Sequence, residues 1–396
     1  MQVPRPDLTD PALYASGDPH AAWRAQRGSC PVARHTAGGD PFWSVTGYAE
    51  GNRVLQDTAT YRSGSGVQLR RRLAEPPPGA GEMLALSDAP RHGVLRAPLR
   101  KLFAAKTVAA WEPRIRTVVG SLLRPVVGAG VVDFVPAVAA PTPMAVLGDL
   151  LGVAPHDREA IAAAAFASGD ESPDADGMSA GEAYTVVLLY FAELIEARRA
   201  HPADDVASAL LGAVRDGAEI APDEILLTCT NVLTAGMDTT KLAIGATVSA
   251  LLEHPAAWAS LRAGEVPLGR AVEEILRWIS PATHVLRTAS AAAFLGDVRI
   301  SPGDPVAVWL PAVNRDPAVF DAPEELRLDR SPNPHRAFAA GAHVCLGASI
   351  VRLVLRVFLE ELLATTGEVL AAGKQERFAS AVLGGPVSLP VELRPR

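Results

Sequence analysis

Cysteine is scarce in this chain: Cys30, Cys229 and Cys345 are three residues in 396, odd in number and far apart. That excludes a disulfide framework and points to a reducing compartment, the cytoplasm. Long apolar runs are missing as well. No uninterrupted stretch reaches the ~18 residues a membrane-spanning helix needs; the best candidate, after Ile225, carries Asp238 and Lys241. The opening Met1-Gln2-Val3-Pro4-Arg5-Pro6-Asp7 is polar and proline-rich, so neither a signal peptide nor a membrane anchor is expected. Excess positive charge is absent too. A net charge of −7 and the lack of a basic run with interleaved aromatics argue against nucleic acid as the main partner. Lysine is rare beside arginine, a coding bias without functional content. Internal repeats and dividing linkers are also missing, so one domain over residues 1–396 is expected.

What is present is enough for a large core: 48% hydrophobic residues with an ordinary 20% charged. The first third mixes short strand-like pieces, such as Phe42-Trp43-Ser44-Val45-Thr46, with turns, and a Gly-, Pro- and Arg-rich loop runs from Arg62 to about Leu86. Helical periodicity dominates from about Arg91 to Glu274. The longest helix is expected after Pro222, with Asp223 as its N-cap, and stops before Pro255. At 1.5 Å per residue it would span about 45–50 Å, the width of a domain. Residues 169–177, Gly-Asp-Glu-Ser-Pro-Asp-Ala-Asp-Gly, read as a mobile acidic loop. The C-terminal quarter returns to prolines, turns and short strands. The fold class expected is mainly α with a small β region.

The most informative stretch is Phe338-Ala339-Ala340-Gly341-Ala342-His343-Val344-Cys345-Leu346-Gly347, followed by an apolar helix from Ala348. A cysteine at a helix start has its thiolate stabilised by unpaired backbone N–H groups and by the helix dipole. The flanking glycines Gly341 and Gly347 let a large flat group approach the backbone. Thiolate, histidine and close-approach loop together suit an iron porphyrin with a cysteine axial ligand. An isolated Cys-x-Gly would read as a structural cysteine in a turn, but the full ten-residue spacing resembles the haem-binding signature of the cytochrome P450 family.

Other motifs fit the same resemblance. Ala235-Gly236-Met237-Asp238-Thr239-Thr240 falls in the middle of the long helix, where glycine costs about 1 kcal/mol relative to alanine. The plain account is that Gly236 admits a neighbouring helix. The resemblance implies a locally opened helix that binds O2, with Asp238 and Thr239 handing protons to it. Glu274-Ile275-Leu276-Arg277 resembles the family's Glu-x-x-Arg helix, Asn314-Arg315-Asp316-Pro317 marks its meander, and Arg330 is the matching arginine. A buried Glu–Arg–Arg network needs every charge paired, and its implied job is to fix the cysteine loop. His92, Arg96, Arg287 and His343 resemble the ligands of the haem propionates. The likeness runs from about Asp18-Pro19 to Leu393. Two positions depart from it: Ala339 replaces a usual glycine, expected to tighten the loop and shift the iron's potential, and Val354 replaces a usual glutamate.

The resemblance therefore implies the single-domain P450 fold with a long helix over haem b, Cys345 as metal ligand, and O2 as co-substrate. Electrons would come from a ferredoxin and its reductase, since the chain has no flavin or iron–sulfur motif, and Arg100 and Lys101 mark a docking patch. The expected activity is that of a monomeric monooxygenase of bacterial secondary metabolism; a haem sensor or a silent carrier-protein-binding scaffold is the alternative. Asn231, Ala235 and Thr239 share one side of the helix. With Thr283, His284, Val382 and Leu383 they match pocket-lining positions of the family. Arg70, Arg71 and Arg72 lie in the loop that caps such a pocket and suit the carboxylate or carrier phosphate of a polar aromatic or polyketide acid.

Overall fold

The computed structural model describes residues 6–70, 73, 75–168 and 179–396. Arg71, Arg72 and the acidic segment 169–177 lie outside the described residues. Helices dominate, accompanied by four small sheets, as the periodicity leads one to expect.

The central helix, Pro222–Glu253, has 32 residues. Its N-cap lies two residues earlier than the expected Asp223. Ala221 takes the N-cap position and Pro222 the first turn, where a missing N–H costs nothing. The Glu224 carboxylate reaches back to accept from the Ala221 N–H at 2.7 Å, and Arg91 pairs with that same carboxylate. The helix buries Leu233, Met237, Ile244, Val248 and Leu251 in a core shared with Phe134, Val357 and Phe358. Gly245 admits another chain segment, because a Cβ there would lie 2.9 Å from Pro386 Cγ.

The largest sheet has five strands in the order Val32–Ala37, Asp40–Val45, Pro305–Trp309, His284–Ala289, Tyr61–Arg62. Only Asp40–Val45 with Pro305–Trp309 is parallel; His284–Ala289 runs antiparallel to both its neighbours and carries Arg287. A three-stranded antiparallel sheet joins Val131–Asp133, Pro390–Pro395 and Thr366–Ala371. Glu376–Arg377 pairs with Pro386–Ser388, and the chain between them returns through Val382 and Leu383. The helix Ala348–Thr365 takes Gly347 as its N-cap, two residues after Cys345.

Candidate active site

The Cys345 loop is closed by its own backbone: Cys345 N–H donates to Phe338 O at 3.0 Å. The sulfur in turn receives N–H groups from Gly347 and Ala348, the start of the following helix. Cys345 has exposed surface, yet burial pushes its thiol up against the lowering pull of Gly347, Arg96, Arg352 and Ala348. Both hold if the sulfur faces space inside the protein rather than bulk solvent. Burial disfavours the anion, so a metal cation at that face is what would favour thiolate here.

Gly341 has φ +73° and its Cβ would meet Leu55 O at 2.6 Å, so only glycine fits there. Ala339 has φ 58°, the left-handed region, which costs an L-residue about 1–2 kcal/mol. The departure from glycine thus appears as backbone strain beneath the cysteine. Ala339→Gly is expected to stabilise the protein by about 1 kcal/mol after the entropy of glycine is counted, read from the midpoint of urea unfolding. Val354, the second departure, is fully buried in the core.

The loop is held from the helix Leu268–Ile279, whose Glu274 and Arg277 are both fully buried. Arg277 donates to Glu274 at 2.7 and 2.8 Å, and to the carbonyls of Asn314, Pro323 and Glu325, each at 2.9 Å. All the guanidinium N–H groups are thereby used. Arg330 Nε lies 3.0 and 3.1 Å from the Glu274 oxygens. Asn314 then passes the constraint on, its Oδ1 accepting from Arg336 N–H at 2.6 Å. Glu273, unremarked in the sequence reading, reaches the loop more directly. It accepts from Arg352 at 2.7 and 2.9 Å and contacts His335 Nε2 at 3.1 Å. Burial raises its pKa, but these partners win and hold it at about 2. Arg352 in turn lies 4.6 Å over the Phe338 ring. The signal was the run Glu273-Glu274: adjacent acids diverge around a helix and serve two partners.

Four basic groups converge beside the cysteine. The rings of His92 and His343 are 4.0 Å apart, and Arg96 donates to Val344 O at 2.6 Å. Arg287 spends one nitrogen on Leu286 O, while its buried Nε has no hydrogen-bond partner. Burial, then Arg287, His92 and Arg96, lower His343 to about 3. Burial, chiefly assisted by Arg96, lowers His92 to about 4, and burial brings Arg287 to about 10 despite Asp88. A cluster in which the arginines suppress the charge of both histidines, with an orphaned arginine N–H, suits a dianion such as a pair of carboxylates. The residues present therefore fit haem: a sulfur ligand at a helix start and donors for both propionates.

A cavity of about 1120 Å³ is lined by Asn231, Thr234, Ala235, Asp238 and Thr239 from the central helix, by Arg70 from the capping loop, and by Val382 and Leu383. The helix itself is continuous α through Ala235–Thr240, so the expected local opening is not found. Gly236 serves packing instead, since its Cβ would come within 2.8 Å of Leu147 Cδ1 on the helix Pro141–Leu147. Thr239 Oγ1 donates to Ala235 O at 2.7 Å. Asp238 Oδ1 accepts from Lys241 Nζ at 2.7 Å, and that ammonium lies 4.1 Å over the Phe166 ring.

Thr283 and His284, expected to line the pocket, are buried behind it. Leu69 N–H donates to His284 Nε2 at 2.8 Å, and His284 Nδ1 is 2.8 Å from Ala381 O. Burial lowers His284 to about 4, so the ring is neutral with its proton on Nδ1. Thr283 also bonds Ala381 O. Both residues pin cavity-wall backbone, because a buried imidazole with two partners has no bond left for a ligand.

With this geometry in place, comparison with known proteins gives one answer. Residues 267–365 match the family model described as Cytochrome P450. The putative cytochrome P450 126 of Mycobacterium tuberculosis is 37% identical over 402 residues, 98% of this chain and 97% of that one. The crystal structure of P450 OxyD, involved in the biosynthesis of vancomycin-type antibiotics, aligns with TM-score 0.91 at 34% identity, over 98% of this chain and all of that one. P450BioI, solved in complex with an acyl carrier protein ligated to hexadec-9Z-enoic acid, aligns at 0.85 and 29% identity, over 95% of this chain and 98% of that one. The chain belongs to the cytochrome P450 family. Its class is that of the P450 monooxygenases, whose fold implies haem iron. Among the described residues no helix is long and apolar enough to cross a membrane.

Proposed function

We propose that this chain, acting as one domain, binds haem b through Cys345 and inserts one oxygen atom of O2 into a small organic acid, free or carrier-bound. The observation that carries the reading is the cavity into which Asn231, Ala235, Asp238 and Thr239 bring a hydrogen-bonding face of the central helix. Bound haem would supply O2 activation, with its reactivity raised by the cysteine thiolate. The chain's residues do the rest. His92, Arg96, Arg287 and His343 hold the propionates, and the Glu273 and Glu274 networks keep the cysteine loop in register.

Asp238 and Thr239 deliver protons on the cavity side. Thr239 donates to Ala235 O at rest, so its lone pairs are free to accept, and rotation about χ1 passes the proton on. Asp238 exchanges Lys241 for water to reload it. Two electrons arrive singly from a ferredoxin and its reductase, docking near the exposed Arg100 and Lys101. Arg70, a cation in the cavity wall, supports an acidic substrate. The antibiotic-biosynthesis and carrier-protein relatives support secondary metabolism and carrier delivery.

Asp238→Asn is expected to slow electron consumption from reduced ferredoxin by about 100-fold, the usual worth of a positioned proton donor. Thr239→Ala is expected to leave that consumption within a few-fold of wild type and divert the electrons to hydrogen peroxide. Stopped-flow oxidation of reduced ferredoxin with a peroxide assay reads both. Unchanged rate and peroxide yield in both variants would remove the proton role.

A further inference from the structure

The main cavity contains three charged side chains among its described lining residues: Arg70, Asp238 and Arg377. Asp238 is neutralised by Lys241 at 2.7 Å. Arg70 donates through Nη2 to the carbonyls of Ser65 and Glu75, at 3.3 and 2.6 Å, and its Nε is buried without a partner. Arg377, on the short strand Glu376–Arg377, makes no hydrogen bond or ion pair through its side chain among the described residues. Among the described residues the cavity is therefore bordered by two positive charges without a paired carboxylate.

Behind Arg377 the described residues hold one carboxylate, Glu253, which accepts from Ser249 Oγ at 3.1 Å and makes no ion pair with Arg377. Its other side borders a second cavity of about 220 Å³, lined also by His20, Trp278 and Arg315. There its charge acts on buried His20 together with those of Arg315, Arg24 and Arg27. An exposed arginine fork with no side-chain partner among the described residues, at the wall of a largely apolar chamber, matches a carboxylate or phosphate ester bidentately and discriminates against a neutral group of the same shape.

We infer that Arg377 is the specificity-determining residue that selects an anionic group on the substrate, a role resting on the monooxygenase reading above and sharpening it to acids or phosphate-bearing carriers. Arg70 assists with the donors its carbonyl contacts leave over. Sequence reasoning placed this task on the Arg70–Arg72 run; Arg377 lies about three hundred residues downstream and reaches the cavity only through the fold.

The test compares 2-naphthylacetate with 2-naphthylacetamide, equal in shape and different in charge, by equilibrium dialysis against the haem-loaded protein. The acid is expected to bind tighter than the amide. Arg377→Gln is expected to weaken the acid by about tenfold or more while leaving the amide within twofold, and Arg377→Lys to recover part of the loss. Because Arg377 has no internal partner, the variants should fold, which an unchanged carbon monoxide spectrum checks. If the wild type does not prefer the acid, or if Arg377→Gln weakens acid and amide alike, the inference is overturned. Dialysis reports binding whatever the haem does, so loss of the thiolate spectrum in the wild type would sink the catalytic reading separately.

Discussion

Cys345→Ser is expected to abolish the strongly red-shifted Soret band that the dithionite-reduced, carbon monoxide-bound protein should give, and all oxygenase activity with it. The reason is electronic rather than structural. Cys345 contributes little to the core: it has exposed surface, and the two N–H groups that reach its sulfur can be accepted by a serine hydroxyl. What serine lacks is a soft anionic ligand able to push electron density onto iron. Far-UV circular dichroism should therefore be unchanged while the band is lost. If Cys345→Ser kept the band, the ligand would lie elsewhere and the monooxygenase reading would fall with it.

Arg277→Ala should have the largest effect on stability, about 3–5 kcal/mol, the usual cost of removing one partner of a buried ion pair. The loss is not confined to Glu274. The carbonyls of Asn314, Pro323 and Glu325 each lose a donor at 2.9 Å, and they belong to the meander that positions Arg330 and Asn314. Arg277→Lys should rescue little, because an ammonium has three donors and no planar fork to span a carboxylate and three carbonyls. Urea midpoints and the fraction of protein carrying haem should fall together. A stability loss below about 1 kcal/mol in both variants would put the pair in the class of solvated surface bridges.

Motif-bearing parts were legible because their chemistry demands particular residue types at short, fixed spacing. The Glu274–Arg277 pair spans one helical turn, and the cysteine loop with its helix is one uninterrupted segment; local backbone geometry decides both. Helical periodicity put Asn231, Ala235 and Thr239 on one side of the helix, and the resemblance implied that this side lines the pocket, as it does. Reading failed where a partner came from far along the chain. The plain account of Gly236, close packing of a neighbouring helix, holds with Leu147 within 2.8 Å of its missing Cβ, but which helix packs there was not readable. His284 looked like a pocket residue until Leu69 and Ala381 occupied both its nitrogens.

The sequence by itself determined the mainly helical class, the cysteine at a helix start and the placing of Glu274 with Arg277 and of Asp238 with Thr239 on helices, since each is encoded within a few turns of chain; the burial of the first pair was only implied by the resemblance. Tertiary structure alone decided that Glu273 grips the cysteine loop through Arg352 and His335. It also decided that Lys241 neutralises Asp238 over Phe166, and that Arg377 stands at the cavity wall without an ion-pair partner among the described residues. Whether a polar side chain is spent or available depends on every donor and acceptor packed around it, and those neighbours are set by the fold, not by spacing along the chain.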